Sequence, residues 1–196
     1  MVKKHHFIAE LIADTRRLLA SDELTLERRA ELARHLAEAS ALSKEDIAVY
    51  DFFFEHMPDD EDDLALVILK GHLLIEQRVR SFVEARLFAP TALAAARLTS
   101  HQLICLAEAM CLSNEEPKWL FETLRKLNSL RNSLVHELTP AGIADKVDAF
   151  VKAYGARNAV RSGLIGCLGN LYAQLAELSN LARRPGFRLP GSRRHT

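Results

Sequence analysis

The segment that decides the fold is LNSLRNSLVH, residues 127 to 136, because it places an arginine inside a helical pattern of leucines. At about 100° per residue the leucines share one face of a helix, and Arg131 falls in the middle of that face. A guanidinium buried without a counter-charge is strongly unfavourable. We therefore expect Arg131 to meet a carboxylate, a second subunit or an anionic ligand. The leucines of this face are Leu120, Leu124, Leu127, Leu134 and Leu138.

Helical signals continue on the N-terminal side of this segment. A first helix is predicted from about residue 6 to residue 20, Thr25 begins a second, and Ser43 with Asp46 begins a third. The pattern predicts an all-α helical bundle of about seven to eight helices around one long central helix. Periodicity gives no alternating strand and no internal repeat.

The long helix is predicted after Pro58, with the acidic run 59–63 as its first turn and Leu87 at its end. It carries two apolar stripes, which predicts a helix covered on both sides. Glu76 interrupts the second stripe, so a Glu76 to Arg131 ion pair is the simplest structural reading. The first stripe is Leu64, Ile68, Gly71, Ile75, Val79 and Phe82; the second is Leu66, Leu69, Leu73, Glu76, Arg80, Val83 and Leu87.

The remaining helices are bounded by capping residues and by proline or glycine. Thr99 with Gln102 forms a capping box, and a later helix begins near residue 116 and ends at Pro140. The next helix is predicted to stop at Gly155, and a final one to cover about residues 159 to 182.

Composition divides the chain into three predicted regions: an N-terminal helical extension (1–57), the main bundle (58–184) and a basic disordered tail (185–196). Lys and Arg number 26, as do Asp and Glu, so no global field attracts nucleic acid or membranes. Three cysteines without CxxC spacing and the lack of a signal or membrane-spanning run favour a cytoplasmic protein.

Two segments together resemble the HEPN superfamily of small helical proteins. One is GHLLIE, residues 71 to 76, on the long helix; the other is RNSLVH, residues 131 to 136, about 50 residues later. The family hallmark is an arginine separated from a histidine by four to six residues, and the separation here is four. The resemblance covers about residues 62 to 151 and leaves the first 57 residues unexplained.

The resemblance implies metal-independent RNA cleavage, as in toxins and defence nucleases, at a site assembled in a homodimer. Arg131 would hold the scissile phosphate, and His136 would act as the acid/base group on the 2′-hydroxyl or the leaving oxygen. Asn132 and Ser133 would support them, with Glu76 from the long helix. No cofactor or metal is implied, and His72 and His101 have no partners at ligand spacing.

Helix geometry leaves two functions open. Residues five apart point about 140° from one another, so Arg131 and His136 of one straight helix do not converge on one phosphate without a bend or a second subunit. The helix C-terminus and Glu137 favour a protonated His136, hence a general acid. The alternative is a non-catalytic, repressor-like regulatory or scaffold module, in which Arg131 pairs with Glu76 and His136 caps its helix.

Basic residues support RNA binding only locally. Arg125 and Lys126 lie on the same predicted helix as Arg131, and Arg80 lies on the long helix. The acidic run at 59–63 and the basic tail would also suit a protein partner such as an antitoxin or a regulator.

Overall fold

Apolar residues at helical spacing dominate the chain, and the computed structural model is accordingly all-α. It describes residues 7–20, 24–59, 62–111, 118–136, 142–158 and 163–183. These residues form nine helices and no strand. Their contacts divide the chain into two units, one ending at His56 and the other beginning at Met57.

The N-terminal unit contains three helices: α1 (Phe7–Leu19), α2 (Leu26–Ser40) and α3 (Lys44–His56). The predicted N-cap residues are confirmed. Thr25 accepts a hydrogen bond from the backbone N–H of Arg28, and Ser43 and Asp46 bond to each other's backbone N–H groups. Helix α1 packs against both α2 and α3.

The second unit contains six helices, and the longest of them packs against three of the others. Their bounds are α4 (Leu64–Glu84), α5 (Pro90–Ala95), α6 (Ser100–Ala109), α7 (Lys118–His136), α8 (Ile143–Asn158) and α9 (Leu164–Arg183). The predicted long helix is therefore confirmed as α4, and it packs against α6, α7 and α9.

The first apolar stripe of α4 forms the core of this unit. Ile68, Val79 and Phe82 are at most 1% exposed. Gly71 lies against Leu168 of α9, where an added Cβ would come within 2.6 Å of the leucine Cδ1. The close approach of α4 and α9 therefore depends on a residue without a side chain.

Helix α7 buries the leucine face predicted for it. Leu120, Leu124 and Leu127 are 1 to 2% exposed, and Leu134 is partly exposed. Leu138 lies outside the described residues. The Thr99 and Gln102 capping box that begins α6 is also confirmed, with both reciprocal bonds formed.

Three predicted boundaries are wrong. The acidic run precedes α4 instead of forming its first turn, because Asp63 is the N-cap and accepts from the N–H of Leu66. The C-terminal end of α4 is Glu84, short of Leu87. Gly155 does not stop α8, which continues to Asn158.

Candidate functional site

Arg131 lies at the edge of the core, on the side of α7 that faces α4. Its side chain is partly exposed, and its Nη1 group donates to Asn132 Oδ1 at 3.2 Å. No carboxylate among the described residues lies within ion-pair distance of this guanidinium. Among the described residues, the recorded hydrogen-bond partner of Arg131 is thus a neutral amide.

Glu76 is engaged elsewhere, so the expected Glu76 to Arg131 ion pair is not formed. Its Oε2 atom accepts a hydrogen bond from Ser100 Oγ at the start of α6 and lies 3.9 Å from His72 Nδ1. The sequence pattern identified a charge on each helix face. It could not show that α6 brings a hydroxyl to the carboxylate.

His72 is a residue of α4 that faces α7, and it is buried, with 7% of its surface exposed. Its Nε2 atom lies 3.3 Å from Asn128 Oδ1. An amide oxygen accepts hydrogen bonds, so in this contact the Nε2 group of His72 is the donor.

Burial lowers the pKa of His72 below its ordinary value of 6.5. The Glu76 carboxylate and the bond to Asn128 act in the opposite direction, and the positive charge of Arg131 lowers the pKa further. His72 is therefore neutral at pH 7, and Arg131 is the cation of this region.

These side chains form one polar cluster, which we define as His72, Glu76, Ser100, Asn128 and Arg131. It draws on α4, α6 and α7. Several of its members line a cavity with about 10 Å³ of space for a water centre. That is room for about one water molecule and far too little for a nucleotide. An anion at Arg131 would therefore bind on the surface of the bundle.

The structure describes the predicted supporting residues around Arg131 but not the side chain of His136. His136 ends α7, and its side chain lies outside the described part of the structure. Ser133 donates to the backbone carbonyl of Ser129 at 3.2 Å and accepts from Lys146 Nζ at 3.3 Å, toward α8. Asn132 is exposed and is the one predicted supporting residue that contacts Arg131.

The predicted nucleic-acid contacts differ in their surroundings. Arg125 forms an ion pair with Glu108 of α6, which neutralises much of its charge. Lys126 is exposed and lines a cleft that also includes Trp119 and Tyr154. Arg80 is partly exposed on α4. The basic tail, residues 185–196, lies outside the described residues.

Sequence reasoning missed three members of the polar cluster: His72, Ser100 and Asn128. Two signals were present. His72 lies four residues before Glu76, and Asn128 lies three residues before Arg131, so each pair shares one face of its helix. What was lacking was the pairing of the two faces, which only the packing of α4 on α7 supplies.

Comparisons with known protein families, with curated proteins and with solved structures gave no match. Within the described ranges, no group of three or more His, Cys, Asp or Glu side chains is placed to hold a metal ion. None of the helices described is long and apolar enough to cross a membrane.

Proposed function

We propose that the chain is a metal-independent endoribonuclease of the toxin or defence type. Arg131 holds the scissile phosphate, and His136 acts as the acid/base group where two copies meet. The proposal starts from the resemblance of residues 131 to 136 to the HEPN motif. The observation that carries it is that Arg131 is partly exposed and has no acidic partner among the described residues.

The surroundings of Arg131 favour phosphate as its partner. A guanidinium presents two parallel N–H donors that match two phosphate oxygens. The bond from Ser100 holds the Glu76 carboxylate on the α6 side, away from this fork. The guanidinium of Arg131 is also partly exposed, so a phosphate can reach it from solvent.

The chemistry proposed for His136 is proton transfer. The ribose 2′-hydroxyl attacks the adjacent phosphorus, the bond from phosphorus to the 5′-oxygen breaks, and a 2′,3′-cyclic phosphate forms. A protonated imidazole gives its proton to the departing 5′-oxygen, and water takes the proton of the 2′-hydroxyl. Arg131 stabilises the charge that develops on the phosphate oxygens.

We propose that a second copy completes the site for this step. Arg131 and His136 point about 140° apart on a straight helix, so one phosphate is reached by Arg131 of one subunit and by His136 of its partner. Each member of the homodimer then supplies one residue to each of two equivalent sites.

The test is cleavage of a mixed-sequence RNA by the purified chain in excess chelator. We expect cleavage by the wild type and a loss of at least a hundredfold in His136→Ala and Arg131→Ala. The matched controls are His101→Ala and Arg97→Ala, which remove exposed residues of the same types outside the cluster.

RNA that stays intact with every variant and the wild type would overturn the proposal. It would favour the competing hypothesis, a non-catalytic regulatory or scaffold module acting through an antitoxin or another protein. Unchanged cleavage in every variant would assign the activity to a contaminant, and equal loss in the control variants would show that Arg131 and His136 have no special role.

A further inference from the structure

A cleft lies between α7 and α8, away from the polar cluster. It contains about 50 Å³ of space for water centres, against about 10 Å³ in the cavity beside Glu76. Trp119 of this cleft and Arg131 are 12 residues apart on α7, which turns them about 120° from one another around the helix axis. The cleft and the arginine therefore open on different sides of α7. The residues that shape the cleft are Trp119, Glu122 and Lys126 of α7, with Phe150 and Tyr154 of α8.

The floor of the cleft is aromatic. Phe150 is 4% exposed and Tyr154 is 2% exposed, and the Tyr154 ring meets the Trp119 ring edge to face, with the centroids 6.3 Å apart. Trp119 is itself partly exposed, so part of its indole ring reaches solvent. The hydroxyl of Thr123 donates to the backbone carbonyl of Trp119 at 2.7 Å. A partly exposed indole beside a buried aromatic floor offers a surface on which a second planar ring can stack.

The rim of the cleft carries two opposite charges one helical turn apart. Glu122 and Lys126 are both exposed, and because they are four residues apart they lie on the same side of α7. Within the described ranges, neither side chain forms an ion pair. An aromatic surface beside a carboxylate and an ammonium group is complementary to a planar ring that carries both an N–H donor and an anionic group.

A cytosine nucleotide has these three parts. Its ring stacks on indole, its exocyclic amino group donates to a carboxylate, and its phosphate accepts from an ammonium group. The space in the cleft is that of about four water molecules, which suits one edge of a six-membered ring better than the two fused rings of a purine. Uracil presents a carbonyl oxygen in place of the amino group, and the Glu122 carboxylate repels that oxygen.

We propose that this cleft binds a cytosine nucleotide. The base lies against Trp119, its amino group donates to Glu122, and its phosphate binds Lys126. The nucleotide is either free or part of a single-stranded RNA, because both present the same groups. Binding here does not require cleavage by Arg131 and His136, so the proposal is independent of the ribonuclease activity.

The first test uses the fluorescence of Trp119, the single tryptophan of the chain. Cytidine monophosphate and uridine monophosphate are titrated separately into the full-length protein. Stacking should quench the emission, and cytidine monophosphate should bind about tenfold or more tightly than uridine monophosphate. Lys126→Ala should weaken the binding of cytidine monophosphate about tenfold. The matched control is Lys70→Ala, at an exposed lysine of α4, which should bind as the wild type does.

The second test changes the base preference. Glu122→Gln replaces a carboxylate with an amide that both donates and accepts, so the variant should bind the two nucleotides within about threefold of each other. Glu122 is exposed, and circular dichroism checks that the helices stay intact. A purely structural role of Glu122 would not alter the preference between two bases. Trp119→Leu, measured by calorimetry, should weaken binding about tenfold.

A short oligocytidine separates the two sources of the nucleotide. Tighter binding of the oligocytidine than of cytidine monophosphate would support the proposal with single-stranded RNA as the ligand, and equal binding would support it with the free nucleotide. Absence of binding, or equal binding of both nucleotides by the wild type, would overturn the proposal. Binding that is lost in Arg131→Ala and kept in Lys126→Ala would place the nucleotide at the polar cluster and would also overturn it.

Discussion

The two apolar faces of α4 have similar composition but differ in burial. One face carries Ile68, Val79 and Phe82, all nearly inaccessible, and meets α9 at Gly71 and Leu168. The other carries Leu66, Leu69 and Leu73, which are 39, 42 and 68% exposed. Both faces follow helical spacing equally well, so periodicity marks a face as apolar without saying which element covers it.

The difference lies in what surrounds each face. The buried face contains a glycine that lets the α9 backbone approach, and Arg78 stacks on the ring of Tyr172 at 4.4 Å. The exposed leucines have no glycine among them at a comparable position. The first face is therefore suited to close packing against a neighbour in the same unit.

The sharpest way to break this comparison is to truncate one large side chain on each face. Phe82→Ala should lower the free energy of unfolding by about 3–5 kcal/mol, because it removes a fully buried ring and leaves a cavity. Leu73→Ala should change it by about 0.5 kcal/mol or less at a dilution where the chain is monomeric. Urea denaturation measures both values. Similar losses for the two variants would contradict the assignment of the faces.

The substitution Gly71→Ala tests the close contact between α4 and Leu168 of α9. The new methyl group would meet Leu168, so the free energy of unfolding should fall by about 1 kcal/mol after the gain in helix propensity is counted. Thermal unfolding measures the change. In a Leu168→Ala background, Gly71→Ala should become neutral or stabilising, and a persistent loss would contradict the contact.

Much of the fold follows from local sequence. Thr25, Ser43 and Thr99 mark helix starts through side-chain bonds to backbone N–H groups three residues on, and such bonds depend on neighbours in sequence alone. Helix α5 was not predicted, because a six-residue helix after Pro90 has no periodic stripe to identify it. The end of α8 also escaped prediction, since a glycine lowers helix propensity without forcing a helix to end.

The polar cluster can be examined through pH. Burial lowers the pKa of His72 in the folded state below 6.5, so the unfolded chain binds more protons as the pH falls through that value. Stability contributed by neutral His72 is therefore present above about pH 6.5 and is lost progressively below it. His72→Gln should flatten the decline between pH 6.5 and the lower folded-state value, whereas His101→Gln should not. Identical pH profiles of unfolding for wild type and His72→Gln would show that the cluster does not disfavour the proton.

The site was predictable only in part. Arg131 was found because it interrupts the leucines at 127 and 134, and the exposed Asn132 beside it could be read from the same helix. Its expected bond to Glu76 was wrong, because charge and spacing do not reveal that Ser100 reaches the carboxylate first. The role of His136 stays a prediction.

The most direct measurement is the salt dependence of RNA binding by wild type and Arg131→Ala. The account predicts that Arg131→Ala weakens binding about tenfold at low salt and lowers the slope of log K against log salt by about one, since one phosphate contact is lost. Arg97→Ala should leave the slope unchanged. Equal slopes for wild type and Arg131→Ala, or no binding by either, would contradict the claim that this arginine is held open for a phosphate.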